Sequence, residues 1–537
     1  MWRRGFIYRS FLKGKLCDHI TFYPYDALPR RLEDADALLR GRFRFGGDAV
    51  DVKEGSIFDQ PAPTPAWNDA LQSFAWLPPL SAAGGDASRT LATNLLSQWL
   101  RRNARYSEPA FEPQVVARRL IHLFAHGRFV LANSDVLWRS KVFVSLREQV
   151  KLLARTAKDA PAGLPRLEAA TAFALSGACL NDNPKRLEAG LLRLEQEIAE
   201  QILPDGGHTS RSPEALVHAF RHIVMVADAL TAIEHPIPHT IRSAHDRMAP
   251  MLRFFRHGDG GLALFNGGRE CDPRMIAGIL ARDEVRGQPF LHAPHSGYQR
   301  LASGKSLFIM DCGTPPYGAF SNDAHASPLA FEFSAGPYRI VVNCGSAGEA
   351  NSKWDSALRA TAAHSTVTIA DTSTASVLSA GTARDILGAR LLGGPREVTT
   401  SRGENLHGRT VEAVHDGYLR PFGLRHQRTV TLSQQGSHLT GCDAILPVQG
   451  RKQATPFAVR FHIHPDVRMS TSQGGGIILK LPNGEGWRFR CGGNLSIEES
   501  IYLGGAPVRR TEQIVISGTV KDQPVEVAWT FEQMGAI

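Results

Sequence analysis

The stretch SNDAHASPLAFEFSAGPYRIVVNCGS runs from Ser321 to Ser346. A small polar loop ends in a histidine, His325, and two apolar strands follow it. Gly and Pro separate the strands, so they read as a hairpin. The second strand runs into Asn343-Cys344-Gly345. A histidine at the mouth of a hairpin that is otherwise core can be a ligand, a catalytic base or filler.

Outward from this hairpin the texture is uniform. From Tyr298 on, short alternating runs recur, among them SLFIMD, STVTIA, RTVEAVHD, RHQRTVTLS, FAVRFHIHP, GWRFRC and VEVAWTFEQ. Gly, Asn, Asp and Pro punctuate them. Many short strands with little helix between them predict an antiparallel β-sandwich. Upstream, from about 90 to 256, the period is helical. In RTLATNLLSQWLRR, residues Leu91, Leu95 and Trp99 recur every four positions, and Leu96 and Leu100 widen the stripe. Six further segments repeat that style and end in Pro- or Gly-bearing turns. Such helical hairpins stack into an arc or ring. Residues 1–89 are mixed and read as a segment packing on the helices. We draw domains at 1–89, 90–290 and 291–537.

Composition narrows the function. The 537 residues are 43% hydrophobic and 21% charged, an ordinary globular balance. The net charge of +9 suits a polyanionic partner, but its basic residues are dispersed. No zinc finger, RNA-binding or basic-zipper pattern is present, so nucleic acid is not the expected partner. Seven cysteines, none closer than 32 apart and none in a C-x-x-C pair, make neither a disulfide framework nor a thiolate zinc site. There is no Walker A loop, G-x-S-x-G or H-E-x-x-H, and GDGG at 258–261 precedes no helix, so no nucleotide cofactor is expected. The N-terminal MWRRGFIYRSFLKGKL is broken by Arg9, Lys13 and Lys15 and does not read as an ordinary signal peptide. No run of about 18 apolar residues suggests a membrane span.

Three constellations carry polar chemistry. His325, Asn343 and His364 stand at the ends of successive strands and can converge at one rim. Two imidazoles and an oxygen donor suit a metal site with an open position, or each group simply caps a strand. Tyr418 and His426 flank a turn with His415, Arg425 and Arg428 nearby, and a tyrosine beside cations can serve as a base. His208, Ser210, Arg211 and Glu214 lie at a loop-to-helix junction, where Ser212 and Pro213 also make a good helix start.

Taken in order, AHASPLAFEFSAGPYRIVVNCGS, W…RATAAHSTV and DGY…HQR resemble the heparinase II/III-like polysaccharide lyases, over roughly residues 60 to 460 and most strongly at 297–370. The resemblance implies an incomplete (α/α) toroid followed by an antiparallel β-sandwich. It implies β-elimination on a uronate-containing polysaccharide or oligosaccharide. The uronate carboxylate is neutralised, the C5 proton is removed, and the C4–O bond breaks without water. A cation must meet the carboxylate, and a base and an acid, usually Tyr and His, must meet the ring.

Matched position by position, the family's His-x-His-x-Asp becomes Asp323, Ala324, His325, Ala326 and Ser327. His325 takes the place of the ligand histidine, and Asp323 that of the catalytic one. Asn343 replaces an aspartate ligand, and His364 matches the later histidine. A structural divalent ion, zinc by its donor set, would sit one negative charge poorer and bind more weakly. The helical Asn-His pair is missing from EAATAFALSGACLNDN, and Ala215 stands near the family's helical tyrosine. The resemblance therefore implies Tyr418 as base or acid. His208, Arg211 and His426 become ring and carboxylate partners, and Arg359, Arg428, Glu214 and Asp323 glycan contacts. The alternative is a glycan-binding or envelope-associated relative without the chemistry. A helical interaction protein is a third reading. The family works in the periplasm or outside the cell, whereas the chain alone reads as unexported.

Overall fold

A computed structural model describes residues 18–29, 31–180, 182–283, 287–348, 352–472, 475–505 and 507–535. The broken N-terminal segment before residue 18 lies outside the described residues. The chain divides into two compact units that interleave in sequence. One takes Met1–Ile202, His218–Asp246 and Gly278–Asp283; the other takes Leu203–Val217, Arg247–Ala277 and Glu284–Ile537.

The first unit is helical. Its principal helices are α1 (Gly85–Arg102), α2 (Pro113–His126), α3 (Val136–Thr156), α4 (Leu164–Leu180) and α5 (Pro184–Gln201). Two more, α6 (Pro213–Ala232) and α7 (His239–Phe254), contribute turns to both units. Local chemistry sets the ends. The Asp135 carboxylate accepts from the Leu137 and Trp138 N–H groups and starts α3, and prolines occupy the first turns of α2 and α5. The α1 stripe buries Leu95, Leu96 and Trp99, as its period requires. α4 and α5 approach closely because two glycines permit it. A Cβ on Gly177 would lie 2.5 Å from the Leu187 Cα, and one on Gly190 2.7 Å from the Ala174 Cα. Ahead of α1, a strand pair (Arg42–Phe45 with Asp48–Asp51) and short helices form the mixed segment. By length and composition α6 passes for a membrane span, but two-thirds of it is buried in the fold (67%), which marks a core helix.

The second unit holds two large antiparallel sheets and a small strand pair, Ala375–Val377 with Leu391–Gly393. Its strands include β1 (Tyr298–Ser303), β2 (Ser306–Asp311), β3 (Phe331–Ala335), β4 (Tyr338–Val342), β5 (Val367–Ile369), β6 (Gly408–His415), β7 (Leu424–Ser433), β8 (His438–Pro447), β9 (Thr455–Ile463), β10 (Arg509–Val520) and β11 (Val525–Gln533). One sheet runs Asn494–Tyr502, β10, β9, β4, β3, β2, β1 and a short edge strand, with β5 paired to β9. The other runs Val398–Asn405, β6, β7, β8, β11 and three more strands. The hairpin at 331–342 is β3–β4, turning at Gly336 with φ 57°. All of β3 is buried. Phe331 stacks on Trp529 with ring centroids 5.6 Å apart, and Phe333 meets Trp487 edge-on. The fold class read from the sequence, helices first and an antiparallel sandwich after, is the observed one. The described cysteines are free thiols.

Candidate functional site

The hairpin mouth brings two imidazoles together. His325 follows the turn Gly318–Ser321, and His364 follows the turn Thr361–Ala363 just before β5. His325 Nδ1 lies 2.9 Å from His364 Nε2, and His364 Nδ1 lies 2.8 Å from the Ala360 carbonyl oxygen. A carbonyl only accepts, so His364 carries its proton on Nδ1 and offers a lone pair at Nε2. His325 must then donate from Nδ1, which leaves the lone pair on its own Nε2. Both rings are buried. Burial lowers His364 to about 4 and holds His325 well below the usual imidazole range, with His364 and Arg359 adding to the effect on His325. His325 lines a recess of about 10 Å³ shared with Arg211, Asp311, Ser327 and Thr374. Such a space holds roughly one water.

Arg211 sits at φ 61°, just ahead of α6. Its guanidinium donates to the carbonyls of Ser296, Thr314 and Gly297 at 2.8, 3.0 and 3.3 Å, and it pairs with Asp311. It also lies over the Tyr298 ring, 4.9 Å from its centroid, while the Tyr298 hydroxyl donates to the Arg211 carbonyl. Asp311 keeps Arg211 charged against the burial that opposes it. His208 Nδ1 accepts from the Ser210 N–H at 3.1 Å and from its hydroxyl at 2.7 Å, and burial lowers the ring to about 4. Glu214 accepts from the Arg269 N–H and guanidinium. Arg359 donates to the carbonyls of Ala324 (2.8 Å) and Ser321 (3.0 Å). Asp323 is exposed beside it.

Tyr418 lies elsewhere, inside the sandwich. It is fully buried, and its hydroxyl donates to the carbonyl of Val367 at 2.9 Å. Burial pushes the phenol far above its ordinary range. On β6 and β7, His415 Nδ1 accepts from the Gly417 N–H, His415 Nε2 faces His426 Nδ1 at 3.2 Å, and His426 Nε2 donates to Asp443 at 2.7 Å. Asp443 also takes both arms of Arg428 (2.7 and 3.1 Å) and the Trp529 indole N–H (2.8 Å). Arg428 and His426 hold this carboxyl below the usual range although burial opposes them. The other arm of Arg428 donates to Leu329 and Ser365.

With the geometry in view, comparison with known proteins is informative. The heparinase II/III-like C-terminal model matches residues 285–530. FtsZ-localized protein C of Caulobacter vibrioides (strain NA1000 / CB15N) is 34% identical over 513 residues, covering 93% of this chain and 88% of the relative. The chain belongs to the heparinase II/III-like family. The structure of heparinase III superposes with a TM-score of 0.73 at 14% identity, covering 99% of this chain and 89% of that one. A heparan sulfate lyase from Pedobacter heparinus superposes at 0.61 and 17% identity, covering 98% and 87%. At these identities the likeness is one of fold, a toroid followed by a sandwich.

The family pattern can now be weighed at each position. A heparinase-type metal would fall to His325, Asn343 and His364. Asn343 is spent otherwise: its Oδ1 accepts from the Ser365 N–H (3.0 Å), and its Nδ2 donates to the Leu264 carbonyl (3.2 Å) and to Glu332 (3.4 Å). Among the described residues no group of three His, Cys, Asp or Glu side chains gathers around an ion position. Two imidazoles already bonded to each other, and an amide turned to the backbone, do not fit a zinc centre. Tyr418, expected as base or acid, His426, expected as a ring or carboxylate partner, and Arg428, expected as a glycan contact, are all fully buried in the second unit. Arg211 lines the recess with its guanidinium engaged, and Arg359 gives Nε and Nη2 to carbonyls while its buried Nη1 has no hydrogen-bond partner. The sequence reading passed over Glu332, Asp311 and Asp443. Glu332 left a signal, a single charge inside the apolar run AFEFSA. It accepts from the Leu264 N–H (3.0 Å) and lies 3.0 Å from His257 Nε2, which draws it into the core.

Proposed function

We propose that this chain uses the heparinase scaffold for binding and localisation and does not perform β-elimination. One observation carries the reading: the guanidinium groups of Arg211 and Arg428 are committed to backbone carbonyls and buried carboxylates. Elimination needs a cation or donor aimed at the uronate carboxylate, because the C5 proton is otherwise too weak an acid. A phenol whose ionisation burial opposes is also a poor base. The localisation half rests on the relative. Its name associates that protein with FtsZ, and 34% identity along nearly the whole chain supports extending this to the present protein. Acidic glycan remains the favoured ligand class, supported by the net charge of +9 and by lyase relatives of the same fold.

The test has two arms. Purified protein is mixed with heparan sulfate, chondroitin sulfate and bacterial polyuronates, with and without zinc, while ultraviolet absorbance follows the conjugated double bond that elimination creates. The protein is also sedimented with FtsZ filaments. A flat absorbance trace with co-sedimentation is expected. Rising absorbance on any glycan overturns the non-catalytic reading, and failure to sediment overturns the localisation.

A lyase with a rearranged centre is the second reading. The fixed His325–His364 tautomer, with its lone pair at the recess, is what favours it. In that case His325→Gln abolishes turnover.

A further inference from the structure

The helical unit contains a cavity that none of the chemistry above uses. Its volume is about 710 Å³. Phe22, Tyr23 and Tyr25 from the segment ahead of the first helices line it, together with His126 at the end of α2, Asp228 near the end of α6, and Arg282. All of these residues belong to one unit. The size is in the range of small-molecule sites, and the lining mixes aromatic faces with few, fixed polar groups.

The polar groups are built in. Asp26 receives both arms of the buried Arg221 at 2.6 and 2.8 Å, and His126 Nε2 at 3.2 Å. Arg221 keeps this carboxyl well below its ordinary range although burial opposes it. Arg282 lies over the Tyr25 ring, 4.8 Å from its centroid, and stands 3.4 Å from Asp228 Oδ2. That oxygen is enclosed and yet accepts no hydrogen bond. Arg282 is its near cation, so the part of the carboxylate that a ligand can reach is the exposed 24% of the Asp228 side chain. Each acid in the cavity is matched by an arginine, so the lining is close to neutral overall. A charged sugar would meet one partner of its own sign for each partner of the opposite sign. A neutral ring with an apolar C–H face and a rim of hydroxyls meets every feature. The aromatic rings take the face, Asp228 accepts from one hydroxyl, and Arg282 donates to its neighbour.

We propose that this cavity is a binding site for a neutral pyranose, large enough for a disaccharide. It belongs to the helical unit, whereas the hairpin mouth belongs to the other, and it does not depend on whether the chain eliminates glycans. Tyr25 is 44% exposed, so its ring can be removed without opening the core.

The experiment uses the full chain with maltose, cellobiose, the N-acetylglucosamine disaccharide and, as charged counterpart, glucuronate. Saturation-transfer NMR detects binding, and calorimetry ranks it. At least one neutral disaccharide should bind, and glucuronate should bind more weakly. Tyr25→Ala should weaken the neutral sugar about tenfold through the lost stacking face, while Tyr25→Phe retains it. Asp228→Ala should weaken it by a similar factor. Thermal melting of each variant confirms folding. No transfer to any neutral sugar, stronger binding of glucuronate, or unchanged affinity in a folded Tyr25→Ala protein overturns the proposal.

Discussion

Two pairs of histidines in the same unit look alike in sequence and differ in kind. His415 and His426 face each other across β6 and β7, and His325 and His364 meet at the hairpin mouth. The first pair is anchored on a carboxylate. Asp443 takes His426, Arg428 and Trp529, so the chain of hydrogen bonds ends inside the core with its polar atoms matched. The second pair is anchored on a carbonyl, Ala360, and its far end is the His325 ring, which lines a small recess. A buried carboxylate closes a network. A backbone carbonyl only orients one, and leaves an atom for chemistry or binding. Tyr418, three residues beyond His415 in the connection between β6 and β7, shares the fate of the core.

The sharpest way to break the comparison is Asp443→Ala. It strands the Arg428 cation and orphans His426 and the Trp529 indole within the core. Breaking a buried pair in this way costs about 3–5 kcal/mol. Urea denaturation should show that loss, and a change under 1 kcal/mol would mean the network is not closed as drawn. Acid should act on both pairs. His325, His364, His415 and His426 all have folded-state pKa values lowered by burial, with His364 at about 4. Below the ordinary imidazole value of 6.5 the unfolded chain binds more protons than the folded one, so stability falls as pH falls from that value toward the folded values. Asp443 acts in the same direction at lower pH. Its depressed carboxyl contributes stability above the ordinary value of 3.8, lost as pH drops below it. Melting temperature measured from neutral to acid pH should decline across the imidazole window. A flat profile there would show that these rings are not held neutral.

How much of this was legible depends on the range of the forces. The α1 stripe and the β3–β4 hairpin were read because periods of 3.6 and 2 are local. The order of the polar motifs along the sandwich was read for the same reason, and with it the family. Burial is not local. Tyr418 with Arg425 and His426 nearby looks like an activated base along the chain. Only the packing of β5 over its ring and the Val367 carbonyl on its hydroxyl show otherwise. Asp443, in GCDAI, has no neighbour in sequence that announces Arg428 or Trp529. Arg211 in SRSP reads as part of a polar loop-to-helix junction, and nothing near it in sequence announces its carbonyl partners from the loops around Ser296, Gly297 and Thr314. Tyr418 and Arg211 stand out along the chain by residue type and Asp443 does not, and for all three the partners come from distant segments.

The open pair gives smaller effects. His364→Leu removes the acceptor that fixes the His325 proton. Loss of one such hydrogen bond costs about 1 kcal/mol. The decisive readout is the ring nitrogen signal of His325 in NMR, which should change from a single tautomer to a mixture. The equivalent His415→Leu leaves His426 fixed by Asp443 and should not scramble its tautomer. Different outcomes in the two pairs would sharpen the contrast between a carbonyl anchor and a carboxylate anchor.

The smallest expected effect concerns metal. A zinc ion that bound the folded chain alone would stabilise it by mass action, and melting temperature would climb with its concentration. At the hairpin mouth the two imidazoles are bonded to each other, and the Asn343 amide is held by Ser365, Leu264 and Glu332. To bind, zinc would have to break that histidine bond and turn the amide, and it would gain no carboxylate in return. Melting with added zinc and with a chelator should therefore coincide. Restoring the family's acid by Asn343→Asp supplies the missing charge, and a zinc-dependent rise should appear in that variant alone. A rise in the parent protein would mean that the open pair ends on a metal and not on a lone pair.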